Sequence, residues 1–219
     1  MLSDLRLFQL ISPALPIGAF TYSQGLELAV ETGWVSSQTE FESWLAGQLE
    51  HSIATLEIPL LARMMDAVED GNSAQLLAHA KTLIAWRETK ELRLEEKQRG
   101  AALARLLPEL GVTLSGDSLL ACQLTQLAGM AQAAVEWQIP REKLYAGYLW
   151  SWLENAVMAG VKLIPLGQTQ GQQTLQRMAP LLERVVKELD VTSEPGSVTP
   201  ALAIASSRHE TQYTRLFRS

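Results

Sequence analysis

A single cysteine, Cys122, stands in this 219-residue chain, which excludes an intramolecular disulfide and a thiolate metal cage built from one copy. One thiol without a disulfide framework fits a reducing, cytoplasmic setting. Histidine is nearly as scarce. His51, His79 and His209 lie far apart, and none has a second histidine or cysteine at ligand spacing. The expectation is no metal site, with the histidines solvated or at the edge of the core. A glycine-rich loop ending in Gly-Lys-Ser or Gly-Lys-Thr is missing, and so is a serine flanked two residues away on each side by glycine. A nucleotide cradle of that kind and a nucleophile elbow are both excluded, no cofactor is implied, and the chain does not read as an enzyme. A net charge of -6 leaves no basic footprint for a nucleic acid. The first twenty residues carry Asp4 and Arg6 and are interrupted by Pro13 and Pro16, unlike a signal peptide. Leu144 to Ile164 has the length of a membrane span, but Ser151, Glu154 and Asn155 near its middle would be costly in lipid. It reads as a buried core helix, and no membrane is expected.

What is present is helical periodicity. With 47% hydrophobic residues and no alternating β-branched runs, the chain reads as one all-α domain over residues 1–219, a bundle of roughly eight to ten helices. A short amphipathic segment, Leu5 to Ile11, stops at Ser12-Pro13. Thr21 and Gln24 match a capping box opening a helix that closes near Gly33, and Ser37 with Glu40 matches a second. Pro59 should kink or break the run that continues to Val68, before a turn at Asp70-Gly71-Asn72. Ser73 to Leu107 holds one or two helices. Asp117 is a plausible cap for a continuous helix through Leu120, Leu124, Leu127, Ala131 and Val135. Pro140 opens the next, which closes at Pro165-Leu166-Gly167. Gln168 to Leu189 follows, then a loop around Pro195, then a last helix from Thr199-Pro200 that leads into a polar tail, residues 206–219.

Charge is densest from Arg87 to Arg99, with alternating signs. The simpler reading is an exposed helix laced with weak pairs such as Glu95–Arg99 and Arg93–Glu96, each contributing about 0.2–0.5 kcal/mol. The sharper reading is a docking face for a protein. Adjacent carboxylates, Glu95-Glu96 and Glu69-Asp70, point apart on a helix and read as solvated charge. Most of the six tryptophans lie on apolar faces and read as core packing, as do the pair Met64-Met65 and Met158.

Two segments carry a resemblance. Pro16-Ile17-Gly18-Ala19-Phe20-Thr21-Tyr22-Ser23-Gln24-Gly25-Leu26-Glu27 resembles the N-terminal signature of UreF-type urease accessory proteins: Pro-Ile-Gly, an aromatic, a serine, then Gly-Leu-Glu. Pro165-Leu166-Gly167-Gln168 is similar to the family's Pro-Leu-Gly-Gln segment, and the run Arg87–Arg99 and the tail Arg208–Arg218 also look like it. The resemblance implies an all-helical, non-catalytic homodimer. It implies a complex with the UreD-type (UreH) accessory protein, the UreG-type GTPase and apo-urease, in which the chain scaffolds nickel insertion or, alternatively, regulates the GTPase.

Partner-binding candidates follow from it. Phe20 holds the signature's aromatic position, with a buried staple before Thr21 as the alternative. Lys162 closes an apolar helix, where the helix dipole alone would explain a lysine. Arg208, Tyr213, Arg215 and Phe217 lie in the tail, which has little to bury and should stay mobile until a partner holds it. Glu27 reads most simply as a first-turn carboxylate. Calorimetry of nickel against the tag-free chain should show no stoichiometric binding tighter than roughly micromolar.

Overall fold

A computed structural model describes all 219 residues and is all-α. The helices are α1 (Leu2–Leu10), α2 (Leu26–Glu31), α3 (Gln38–Gln48), α4 (Ile58–Glu69), α5 (Ser73–Trp86), α6 (Lys90–Leu106), α7 (Gly116–Leu124), α8 (Gln126–Glu136), α9 (Arg141–Leu163), α10 (Gln168–Glu188) and α11 (Pro200–His209). On one side α4 packs on α5 and α8, while α6 packs on α7 and α8. On the other, the long α9 carries α10, α1, α2 and α3, and α11 lies against α2. A single apolar core runs through both sides, from Leu7 to Phe217.

Local chemistry explains most boundaries. The Ser37 box forms: Ser37 Oγ accepts from the Glu40 amide at 3.3 Å, and the Glu40 carboxylate accepts from the Ser37 amide at 3.1 Å. Thr89 caps α6 through the Leu92 amide at 3.2 Å. At Pro59 the chain neither stops nor turns. Instead Leu49–Glu57 adopts the wider π register between α3 and α4. Proline has no N–H to donate backward, and the Thr55 carbonyl accepts from the Gly196 amide at 3.0 Å instead. The His51 carbonyl likewise takes the Val198 amide at 2.9 Å, so the π stretch stitches the α10–α11 linker to the body.

Three expected boundaries are corrected. Thr21 and Gln24 form no capping box. Thr21 Oγ1 donates to the Gly18 carbonyl at 2.8 Å, and Gln24 and Gly25 turn the chain in left-handed conformations, φ 51° and 79°, so α2 begins at Leu26. The Gln24 side chain serves distant groups instead, Glu95 and the Trp152 indole, each at 2.9 Å. The helix expected through Leu120 and Val135 breaks at Thr125, which is extended. Its hydroxyl accepts from the Leu127 amide at 3.1 Å and donates to Glu96 at 2.7 Å. Gly100 of α6 passes against this break so closely that a Cβ would meet the Cys122 carbonyl at 2.6 Å and the Thr125 nitrogen at 2.7 Å. Ser115, not Asp117, precedes α7, and its amide is bonded by Ser118 Oγ at 3.1 Å.

The α9 segment is a core helix burying Tyr148, Trp152, Val157 and Gly160, and no helix is long and apolar enough to cross a membrane. Met64, Met65, Trp137 and Trp152 are core, as read, whereas Trp34, Trp86, Trp150 and Met158 are partly exposed. Gly160 lets the Phe41 ring lie on the α9 backbone, since a Cβ there would stand 2.3 Å from the ring. Gly160→Ala should therefore cost about 1–3 kcal/mol in urea unfolding despite alanine's better helix propensity. Gly47→Ala in α3, where a Cβ meets nothing within 4 Å, should stabilise by about 0.5–1 kcal/mol. Equal effects at the two sites would defeat this packing argument.

Candidate functional site: a buried ionic helix and the tail seated on it

Helix α6 is not the exposed, ion-laced helix that its charges suggest. Arg87, Glu95, Glu96 and Arg99 are all buried, together with Glu57 at the end of the π stretch. Arg87 bridges Glu57 at 2.8 Å and Glu96 at 2.5 Å. Glu57 also accepts the Tyr148 hydroxyl, and Glu96 accepts that of Thr125. The Glu95–Arg99 pair forms at 2.9 Å but inside the protein, while Arg93 turns from Glu96 to the Arg87 carbonyl. Glu95 and Glu96 do point apart, as neighbours on a helix must, yet each direction leads inward: Glu96 toward Arg87 and Thr125, Glu95 toward Gln24 and the tail.

Electrostatics follow from that burial. Burial alone would raise the Glu96 carboxyl, but Arg87 and Arg99, with the Thr125 hydroxyl, outweigh it and hold Glu96 below the ordinary glutamate value. Burial lifts Glu95 above that value in spite of Arg99. Burial opposes the charge of Arg87, and Glu57 and Glu96 overcome it. The Tyr148 phenol is raised by burial and by the same two carboxylates.

The tail sits on the outer side of this helix. Glu27, buried in α2, accepts from the amides of Leu216 at 2.6 Å and Phe217 at 2.9 Å. His209 is fully buried between Glu27, 3.1 Å from Nε2, and Glu91, 2.7 Å from Nδ1. Arg215 reaches Glu91, and the Ser219 hydroxyl reaches Glu95 at 2.9 Å. Ser23 donates to the Ser219 main-chain oxygen from its amide at 2.8 Å and its hydroxyl at 2.6 Å. Between tail and α6 lies an open cleft of about 650 Å³, lined by Tyr22, Lys90, Leu94, Gln98, Leu216 and Arg218.

Among the sequence candidates, Lys162, Arg215 and Phe217 come together here. Phe217 is a core side chain, with the Lys162 ammonium 5.7 Å above its ring. The expectation that the tail has little to bury is thus corrected: Glu27 and the Phe217 ring anchor it to this chain. Phe20 is outward, 63% exposed, so the buried-staple alternative is overturned. Tyr213 is wholly exposed, and Arg208 is exposed in the last turn of α11. Sequence reading missed the roles of Glu27, Glu91 and His209. One signal was available at Glu27, a lone carboxylate inside the apolar run Leu26 to Val30. Another was Gly100 inside a helix, a mark of close approach. No group of three histidine, cysteine or carboxylate side chains is arranged to hold a metal.

Arg87→Met should cost on the order of 3–5 kcal/mol in urea unfolding, because it strands Glu57 and Glu96. Adding Glu57→Gln and Glu96→Gln should recover much of that loss. A glutamate held low in the folded state stabilises fully above its ordinary value of 4.5, and that contribution fades as pH falls through the folded value. Unfolding midpoints should therefore fall on the acid side, less steeply in Glu96→Gln. Glu95, held high, acts with the opposite sign. A midpoint flat from pH 7 to about 3 would refute the assignment.

A family model for UreF matches residues 35–179 of this chain. The urease accessory protein UreF of Alcanivorax borkumensis is 49% identical over 222 residues, covering 98% of this chain and 97% of its own. Its counterpart in Pseudomonas putida strain W619 is 50% identical over 222 residues, covering 100% and 98%. That of Klebsiella pneumoniae strain 342 is 48% identical over 221 residues, covering 98% and 97%. With such likeness along nearly its whole length, the chain belongs to the UreF family of urease accessory proteins.

Proposed function

We propose that this chain is a cytoplasmic, non-catalytic scaffold of urease maturation, bridging the UreD/UreH-type protein and the UreG-type GTPase on apo-urease while nickel is inserted. The observation that carries the reading is the outer face of the seated tail. Leu94, Leu216, Lys90 and Arg218 line the cleft, and Phe20 and Tyr213 expose aromatic rings nearby in the chain, on the turn before α2 and in the tail. Exposed aromatic residues and arginines on a rigid base are the kind that anchor protein interfaces. The base is rigid because the tail's main chain is held by buried groups.

Homodimerisation has separate support. Leu2, Leu5 and Phe8 form an uncovered stripe along α1, each more than half exposed. A helix stripe of that kind calls for a covering surface. The alternative role, regulation of the GTPase, finds support in Arg208. It is exposed and has no carboxylate partner, whereas Arg215 is engaged by Glu91. An arginine meant for transition-state charge must be free to move, so Arg208 is the better candidate. Single-turnover GTP hydrolysis by the UreG-type partner, with this chain or its Arg208→Ala variant, separates regulator from scaffold.

Co-purification with the UreD-type protein and apo-urease tests the main reading. Phe20→Ala and Tyr213→Ala should each weaken the complex by about 2 kcal/mol or more if they are hot spots, with the melting temperature unchanged. Phe217→Ala should instead cost about 3–5 kcal/mol of folding stability, as core truncation does. Failure to form a complex in any order of addition would sink the proposal.

A further inference from the structure

We infer that Ser23, Glu27, Glu91, Glu95 and Lys162 form a binding groove for a bent, non-helical peptide of the type Arg-Leu-Phe-Arg-Ser. Within one chain Arg215 to Ser219 fills it, and the same segment of a second copy can replace them.

The contacts are those of peptide recognition more than of helix packing. Arg215 to Ser219 lie outside any helix. Five hydrogen bonds reach their main chain: two into the Glu27 carboxylate from Leu216 and Phe217, one from Arg218 to the Thr21 carbonyl, and two from Ser23 to Ser219. Specificity comes from two side chains, while the main-chain bonds supply the hold. Phe217 enters the core beneath Lys162, and Arg215 meets Glu91.

The groove is costly to leave open. Glu27 is 7% exposed, and departure of the tail would strip its carboxylate of two amide donors. An occupant is therefore strongly favoured, yet the tether to this one is slight. Thr211, Tyr213 and Thr214 are exposed, and the side-chain anchor within that hinge runs from Gln212 to Glu31 at the surface. Because every contact to Arg215–Ser219 would be the same with the segment supplied by another copy, exchange costs only the advantage of the tether.

A labelled peptide of residues Thr211–Ser219 tests this by fluorescence anisotropy against the full-length chain carrying Arg215→Ala and Phe217→Ala, which loosens its own tail. The peptide should bind this chain at least about tenfold more tightly than the intact one. Phe217→Ala within the peptide should abolish binding. Absence of binding to a variant that keeps its helical circular dichroism overturns the inference, as does equal binding by the Phe217→Ala peptide. Should the double variant lose its fold, hydrogen exchange of the intact chain decides. Saturating peptide must speed exchange at the chain's own Leu216 and Phe217 amides, and unchanged rates reject the groove.

Discussion

Burying charge in helix α6 is the constraint around which the rest of the molecule is arranged. A carboxylate or guanidinium taken out of water loses several kcal/mol of hydration unless partners replace it. Glu95, Glu96 and Arg99 lie within about one turn of α6, Arg87 stands just before the helix, and none of the four can be left unpaired. Their partners come from separated elements: Glu57 from the π stretch, itself bonded by Tyr148 of α9, Thr125 from the break between α7 and α8, and Gln24 from the turn before α2. Pairing α6 therefore orients five segments at once. Several local oddities find their reason here. The chain is extended at Thr125 where its hydroxyl meets Glu96, and Gly100 lies against it because no side chain would fit.

The same helix couples core to surface. Its inward carboxylate, Glu96, is held by Arg87 and the Thr125 hydroxyl, while Glu95 one residue earlier accepts from Arg99 on one oxygen and from Ser219 on the other. Glu91, a turn before, holds His209 and Arg215. The tail is thus an extension of the ionic core. Arg215 to Ser219 are therefore ordered within the chain itself, which the scaffold role proposed above would require, since ordering a loose segment on binding would consume much of the interaction energy.

For a UreF-family protein this arrangement separates two tasks among neighbouring residues. Glu27, Lys162 and Phe217 hold the tail, whereas Phe20, Tyr213 and Leu216 face outward from it. Residues that look alike in composition therefore divide between anchoring and presentation. In the bend at Leu216 and Phe217 the Phe217 ring goes in while Leu216 and Arg218 stay out.

By itself the sequence determined the helical class, the Ser37 capping box, the turn at Asp70-Gly71-Asn72, the end of α9 before Pro165 and the burial of that helix. Those features rest on apolar periodicity, on capping by residues three apart and on proline's missing donor, all of which act within one or two turns. The family resemblance was legible too, because it is carried by contiguous motifs. Only the tertiary structure decided that α6 is buried, that a helix breaks at Thr125, and that Thr21 and Gln24 decline their local box for distant partners. It also decided that His209 lies between Glu27 and Glu91. Each of these depends on groups roughly thirty to two hundred residues apart meeting across helix faces. Periodicity tells which face of a helix is apolar. It carries no signal for a charged face that is buried because other charged faces come to meet it.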